Sequence, residues 1–309
     1  MRIAIMGSGG LGGYYGGMLA SAREDVTFIA LGSHLESIRS DGLTVKLSSG
    51  EEFTLDAKAT NDPGEIGPVD IVWFCVKTYD TDTAAEQIRP MIGPETMIAS
   101  IQNGVDNERR IEGIFGPGHF VPGVSYVNGL IEKPGVIFVR FAGMTSFGEI
   151  NGSVTSRIEQ LVGSLQQAGV EVESRTDMER FLWDKFVVIC GAGGAEILAR
   201  QPMGPVLATP ETTDLMIRLL HEGVAVAKGM GIDLSPGLPD KLLEIARNRI
   251  PPTHRTSMFE DLLEGKRLEV EALNGTLVRL GSEHGVETPL NFAVYAALKP
   301  YVDGGLATL

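Results

Sequence analysis

A short apolar run, Arg2–Met6 (RIAIM), leads directly into Gly7-Ser8-Gly9-Gly10-Leu11-Gly12, and a helix-like stretch follows from Leu11 to about Ala22. Strand, G-x-G-x-x-G and helix in this order restrict the possible folds more than any other feature of the chain. In such a turn the first glycine permits a tight bend and the second lets the backbone approach a pyrophosphate. The third lets the helix pack against the strand, with its N-terminus facing the phosphates. The pattern predicts a dinucleotide-binding turn formed by Gly7, Ser8, Gly9, Gly10, Leu11 and Gly12.

Downstream, apolar runs and helix-like stretches alternate. Val26–Ala30, Val69–Val76, Thr96–Ile101, Phe120–Tyr126, Gly135–Phe141 and Val170–Ser174 read as strands. Val69–Val76 (VDIVWFCV) is nearly all apolar, as expected of a parallel strand covered on both faces. Leu43–Leu47 and Glu52–Leu55 alternate around Ser48–Gly50 and predict a hairpin-like excursion. After about Thr176 the periodicity becomes helical, with stretches at Glu211–Lys228, Asp240–Arg249, Thr256–Leu263, Val270–Glu283 and Asn291–Leu298. Pro/Gly segments, Pro202–Pro205 among them, punctuate these. The expectation is an α/β protein: a Rossmann-like, doubly wound domain over residues 1–175 and an all-helical domain over 176–309.

Composition narrows the function. Twenty-six basic against 40 acidic residues give a net charge of −14, which argues against nucleic-acid backbones and anionic membrane surfaces as partners. No apolar run approaches the ~18 residues of a membrane span. The two cysteines, Cys75 and Cys190, sit in apolar runs and read as buried thiols rather than a disulfide framework, in keeping with a cytoplasmic protein. The five histidines show no ligand spacing, so no metal is expected.

A nicotinamide cofactor supplies hydride, so a proton donor must serve the forming alkoxide. Lys185, within Phe181–Cys190 (FLWDKFVVIC), is one candidate, because apolar flanks lower a lysine pKa. The same residues also allow a lysine that snorkels from a helix edge or pairs with Asp184. The end of the second strand, Ala30-Leu31-Gly32-Ser33-His34, carries neither the acidic residue of an NAD site nor the Arg of an NADP site. Ser33, His34 and Lys77 could hold a 2′-phosphate or be ordinary loop residues.

Several further stretches carry a family resemblance along nearly the whole chain: RIAIMGSGGLGGYYGGMLA at the start, VKTYD at Val76–Asp80, IQNGVDNE at Ile101–Glu108, Trp183-Asp184-Lys185, Ser257–Asp261, GKRLEVEALNG at Gly265–Gly275, and the late GVETPLN. The chain resembles the ketopantoate reductase (2-dehydropantoate 2-reductase) family of pantothenate biosynthesis. The resemblance implies that Lys185 donates the proton and that Glu269 engages the substrate hydroxyl. It implies that Ser257 binds substrate and that Lys77 lies on the cofactor side. Asn103 would stand where cofactor and substrate meet, with Glu269 also bordering the cofactor. NADP(H) is the implied cofactor, but Leu31 replaces the family's 2′-phosphate Arg, which leaves NAD(H) open. Ile189 and Gly193 replace two family asparagines after the lysine, and His254 replaces a third, where it could take over a polar contact. The expected reaction is therefore reduction of a small 2-oxo acid, in a cleft between the domains. Apolar helical faces near the C-terminus favour a homodimer. Another hydroxyacid or opine-type dehydrogenase, or a catalytically weakened NADP(H)-binding sensor, are the alternatives.

Overall fold

β1 (Arg2–Met6) alternates its side chains between two cores: Ile3 and Ile5 enter one, Ala4 and Met6 the other. A strand buried on both faces belongs inside a sheet covered by helices on each side. The computed structural model of the chain describes residues 1–305. These divide into two units: Met1–Gln102 with Asn107–Met178, and Asn103–Asp106 with the chain from Glu179 onward.

In the first unit β1 is followed by α1 (Gly10–Ser21), β2 (Asp25–Ile29), α2 (Gly32–Asp41), β3 (Leu43–Leu47), β4 (Glu52–Leu55), β5 (Lys58–Thr60), β6 (Ile71–Phe74), α3 (Thr81–Gln87), β7 (Met97–Ser100), α4 (Asn107–Phe115), β8 (Phe120–Ser125), β9 (Asn128–Lys133), β10 (Val136–Phe141), β11 (Thr145–Phe147), α5 (Ser156–Gln167) and β12 (Val172–Ser174). The main sheet runs β12-β11-β8-β7-β6-β1-β2-β5 and is parallel except where β11 meets β8. After β1 the chain builds outward to β2 and β5, then crosses back to β6 on the other side. The β1/β6 boundary is thus the switch point where such sheets take ligands.

The predicted excursion is an antiparallel pair, β3 with β4, but it belongs to a second sheet ordered β4-β3-β10-β9. Gly135–Phe141, expected to continue the alternation, lies in this second sheet, and β9 was not expected. The physical reason lies in α1. A Cβ at Gly13 would stand 2.5 Å from Ile137, one at Gly17 2.7 Å from Val45, and one at Gly10 2.0 Å from the Gly129 carbonyl oxygen. On its other side, a Cβ at Gly16 would press on Phe28 and Ile5. The missing side chains let the small sheet cover α1 while α1 lies tight against the main sheet.

The second unit is helical: α6 (Met178–Ala199), α7 (Met203–Ala208), α8 (Pro210–Gly229), α9 (Leu238–Asn248), α10 (Ser257–Leu263), α11 (Thr276–Glu283) and α12 (Pro289–Leu298). The proline-punctuated segment expected to separate helices instead forms α7. Pro202 caps it and Pro205 falls in its first turn, where a missing N–H costs nothing. The stretch expected to be one helix from Val270 to Glu283 begins as a π turn, Glu271–Gly275, before α11. Val105 packs into this unit's core. No helix among the described residues is long and apolar enough to cross a membrane.

Candidate active site

The glycine turn leaves β1 at the switch point. Gly7 adopts φ +97°, a left-handed state that side chains disfavour, and a Cβ there would stand 2.9 Å from the Val76 nitrogen. At Gly12 a Cβ would stand 2.1 Å from the Gly7 carbonyl oxygen. Gly9 differs: it caps α1, and a Cβ built on it meets nothing within 4 Å. The first helical bond runs from Gly13 N–H to the Gly9 carbonyl at 2.7 Å, so the N–H groups of Gly10, Leu11 and Gly12 point ahead of the helix without an intrahelical partner. An open approach at Gly9 facing such a helix N-terminus suits a pyrophosphate.

Three residues of the turn have structural tasks. Ser8 is buried, and its N–H and Oγ both donate to the Ile29 carbonyl at the end of β2, at 3.3 and 2.9 Å. Gly10 accommodates the backbone of Gly129. Leu11 packs against the first unit's core.

His34 accepts the Gly135 N–H at Nδ1 (3.0 Å), so Nε2 carries the proton and donates to the Ser8 carbonyl at 2.9 Å. Burial lowers its pKa, and the Ser8 bond offsets this only in part. This neutral imidazole braces the glycine turn and has no charge or spare nitrogen for a 2′-phosphate. Leu31 is 73% exposed. Lys77 is half-buried and caps the short turn Thr78–Asp80 after β6, whose Phe74 lies in register with Met6. It therefore leaves the sheet at the same edge as the glycine turn. Gln102, which the sequence did not single out, joins two strand exits at that edge: its Nε2 donates to the Val76 carbonyl and to Thr81 Oγ1, at 2.8 and 2.9 Å. Asn103, the next residue, groups with the second unit.

In the second unit α6 buries Trp183 and Phe186, whose rings meet edge to face with centroids 5.3 Å apart. Asp184 accepts from Ser235 N–H at 3.0 Å and from the Ser235 hydroxyl, which fastens α6 to the loop before α9. Lys185 is partly exposed at its surface, yet enough protein surrounds its ammonium that desolvation lowers its pKa to about 8, against the raising influence of Glu269. Glu269 is 6% exposed and precedes the π turn. Asn274 in that turn donates to the Cys190 carbonyl at 3.3 Å and to Asn291 at 2.9 Å, tying the segment after Glu269 to α6 and α12. π turns often mark functional positions.

His254 is half-buried, and its pKa is lowered by burial against the influence of Glu260. Ser257 is exposed as the first residue of α10; the capping position belongs to Thr256. Of the residues expected from the sequence, Lys185 and Glu269 are brought into electrostatic contact. His254 and Ser257 share a turn that packs on α6 further along. Burial pushes both cysteine thiols well above their usual range.

A doubly wound sheet with an open glycine turn, joined to a helical unit that desolvates a lysine in reach of a glutamate, defines a dinucleotide-binding oxidoreductase fold. Residues 3–152 match the family described as ketopantoate reductase PanE/ApbA, and residues 177–302 match its C-terminal counterpart. The chain belongs to the ketopantoate reductase family. A 2-dehydropantoate 2-reductase of Halobacterium salinarum is 29% identical over 94% of this chain and 95% of its own. The crystal structure of 2-dehydropantoate 2-reductase from Geobacter metallireducens is 32% identical, with a TM-score of 0.90 over 97% of this chain and 99% of that one. A D-mandelate dehydrogenase solved with NADH and anilino(oxo)acetate shares the fold, with a TM-score of 0.89 at 20% identity over 98% of each chain.

Proposed function

We propose that the protein reduces a 2-oxo acid to the corresponding 2-hydroxy acid with a reduced nicotinamide dinucleotide, 2-dehydropantoate being the first substrate to try. The observation that carries the reading is Lys185: an ammonium whose pKa is brought to about 8 by burial, with Glu269 in electrostatic reach. A donor titrating near the working pH holds its proton at pH 7 and releases it readily to an alkoxide.

The bound dinucleotide would supply the hydride. Gly7, Gly9 and Gly12 would seat its pyrophosphate at the N-terminus of α1, beside Lys77. Lys185 Nζ would give its proton to the substrate's former carbonyl oxygen and regain one from water. Glu269 would hold the ammonium and accept from the product hydroxyl, while Ser257, His254 and Asn103 would orient the substrate's polar groups. The family resemblance points to NADP(H). The end of β2 instead favours NADH, since exposed Leu31 and neutral His34 give a 2′-phosphate no cation.

Ile189 and Gly193 favour a second reading, a bulkier and less hydroxylated 2-oxo acid. They follow Lys185 by one and two turns of α6, and neither can hydrogen-bond a substrate hydroxyl through its side chain. The test is oxidation of NADH and of NADPH across 2-dehydropantoate, pyruvate, 2-oxoisovalerate and phenylglyoxylate, repeated with Lys185→Ala. Turnover that is lost in the variant is expected. Nucleotide binding without turnover of any acid would overturn the reading in favour of a sensor, and undiminished turnover by Lys185→Ala would overturn the proton donor.

A further inference from the structure

Glu196 is fully buried on α6, yet it takes no part in the chemistry above. It follows Lys185 by eleven residues, just over three helical turns, so it lies on the same stripe about 16 Å further along the axis. Its Oε2 accepts the Thr256 N–H at 2.8 Å. Among the described residues its Oε1 has no hydrogen-bond partner, and neither has the buried Thr256 Oγ1. Between Lys185 and Glu196 on this stripe stands Gly193, where a Cβ would lie 3.3 Å from Thr256 Oγ1. The turn carrying His254, Thr256 and Ser257 therefore rests on α6 at two points. One is a missing side chain at Gly193, and the other is the Glu196 carboxyl.

That carboxyl is costly to bury. Desolvation raises its pKa to about 7; the Thr256 N–H and Arg255 lower it, and Glu260 raises it. For stability alone, an apolar side chain of this size is often as good as or better than a buried ionisable group. What such a group supplies that an apolar one cannot is direction: one acceptor aimed at one N–H.

We propose that Glu196 is a positioning residue, which through the Thr256 N–H sets the His254–Ser257 turn at the height on α6 where it receives the substrate. The proposal rests on the reading of His254 and Ser257 as substrate-binding residues. The bond is made to the capping residue of α10, whose side chain makes no capping bond of its own. Glu196 thus fixes both where α10 begins and where Ser257 is presented. Its effect belongs to substrate affinity, because its bond is to the turn and Lys185 lies about three helical turns away.

Three variants test this, each assayed with the best 2-oxo acid of the wild-type protein. Glu196→Leu keeps the volume and removes the acceptor; it is expected to raise KM about tenfold, the scale of one hydrogen bond to an ionisable group, with kcat within about threefold. Glu196→Gln keeps an acceptor and is expected to restore KM to within about twofold of wild type. Thr256→Pro removes the donor at a residue whose φ of −66° already suits proline, so it breaks the same bond from the other side should the Leu variant fail to fold. It should reproduce the rise in KM. Unchanged KM in Glu196→Leu or Thr256→Pro overturns the positioning role, as does a Gln variant that behaves like Leu, or a loss confined to kcat. If the wild-type protein turns over no 2-oxo acid, the functional reading falls and the proposal falls with it. Normal wild-type turnover with indifferent variants removes the proposal alone.

Discussion

Helices α1 and α6 prepare their sites by opposite means. α1 works through what it lacks: with no side chain at Gly9, Gly10, Gly12, Gly13, Gly16 or Gly17, backbone and sheet can approach from several directions. α6 works through what it surrounds, a desolvated lysine and a buried glutamate on one stripe. In the proposed reading the first would bind through main-chain N–H groups, and at Gly10 and Gly12 it has no room for a methyl. The second depends on proton affinities that the surrounding protein sets. A site built from backbone should fail by collision, and one built from desolvated side chains by loss of chemistry while the fold survives.

The largest test of that contrast is Lys185→Ala. Loss of a general acid costs about 10²- to 10⁴-fold in kcat, and nucleotide affinity, followed by NADH fluorescence, is expected to stay within about twofold of wild type. A matching loss of affinity would mean that the two regions do not act separately.

Gly12→Ala comes next. Its Cβ would run into backbone, so the cost is on the order of 1–3 kcal/mol or more, read by urea unfolding. Gly9→Ala sharpens the point: open space around its Cβ predicts a stability change within about 0.5 kcal/mol, but weaker nucleotide binding, because the methyl stands where the pyrophosphate approaches. Equal destabilisation by the two would refute this account of the turn.

The pH profile of reduction probes α6 alone. The donor must be protonated, so log kcat/KM is expected to be flat below about pH 8 and to fall with unit slope above it. A profile unbroken to pH 10 would show a lysine with its ordinary pKa. The smallest effect belongs to Leu31→Arg. At an exposed position it should leave stability unchanged and shift preference from NADH toward NADPH, read as the ratio of the two kcat/KM values.

The contrast also explains what could be read from the chain. The glycine turn was legible because φ +97° at Gly7 and the Gly12 contact leave few alternatives to glycine, so geometry is written directly in residue type. The remaining glycines of α1 were not: no pattern in residues 10–17 announces that strands at 43–47 and 128–141 will cover them. β9, with its polar NGLIEK, lacks the apolar alternation of a half-buried strand. His34 could be read as a phosphate ligand or as an ordinary loop residue, because its two backbone partners, Ser8 and Gly135, lie far from it in sequence. Lys185 was conspicuous within an apolar helix, while nothing in the sequence singled out Glu196. Its burial is set by a turn sixty residues later.

The contact between Gly10 and Gly129 also bears on how the molecule acquires its binding ability. The residues that define the phosphate turn leave the ribosome well before two of the strands that clamp α1, β9 and β10, which come from beyond residue 127. Long-range pairing of this kind is slow and late in folding. The nascent chain therefore carries its most recognisable motif for more than a hundred residues before the packing around α1 is complete.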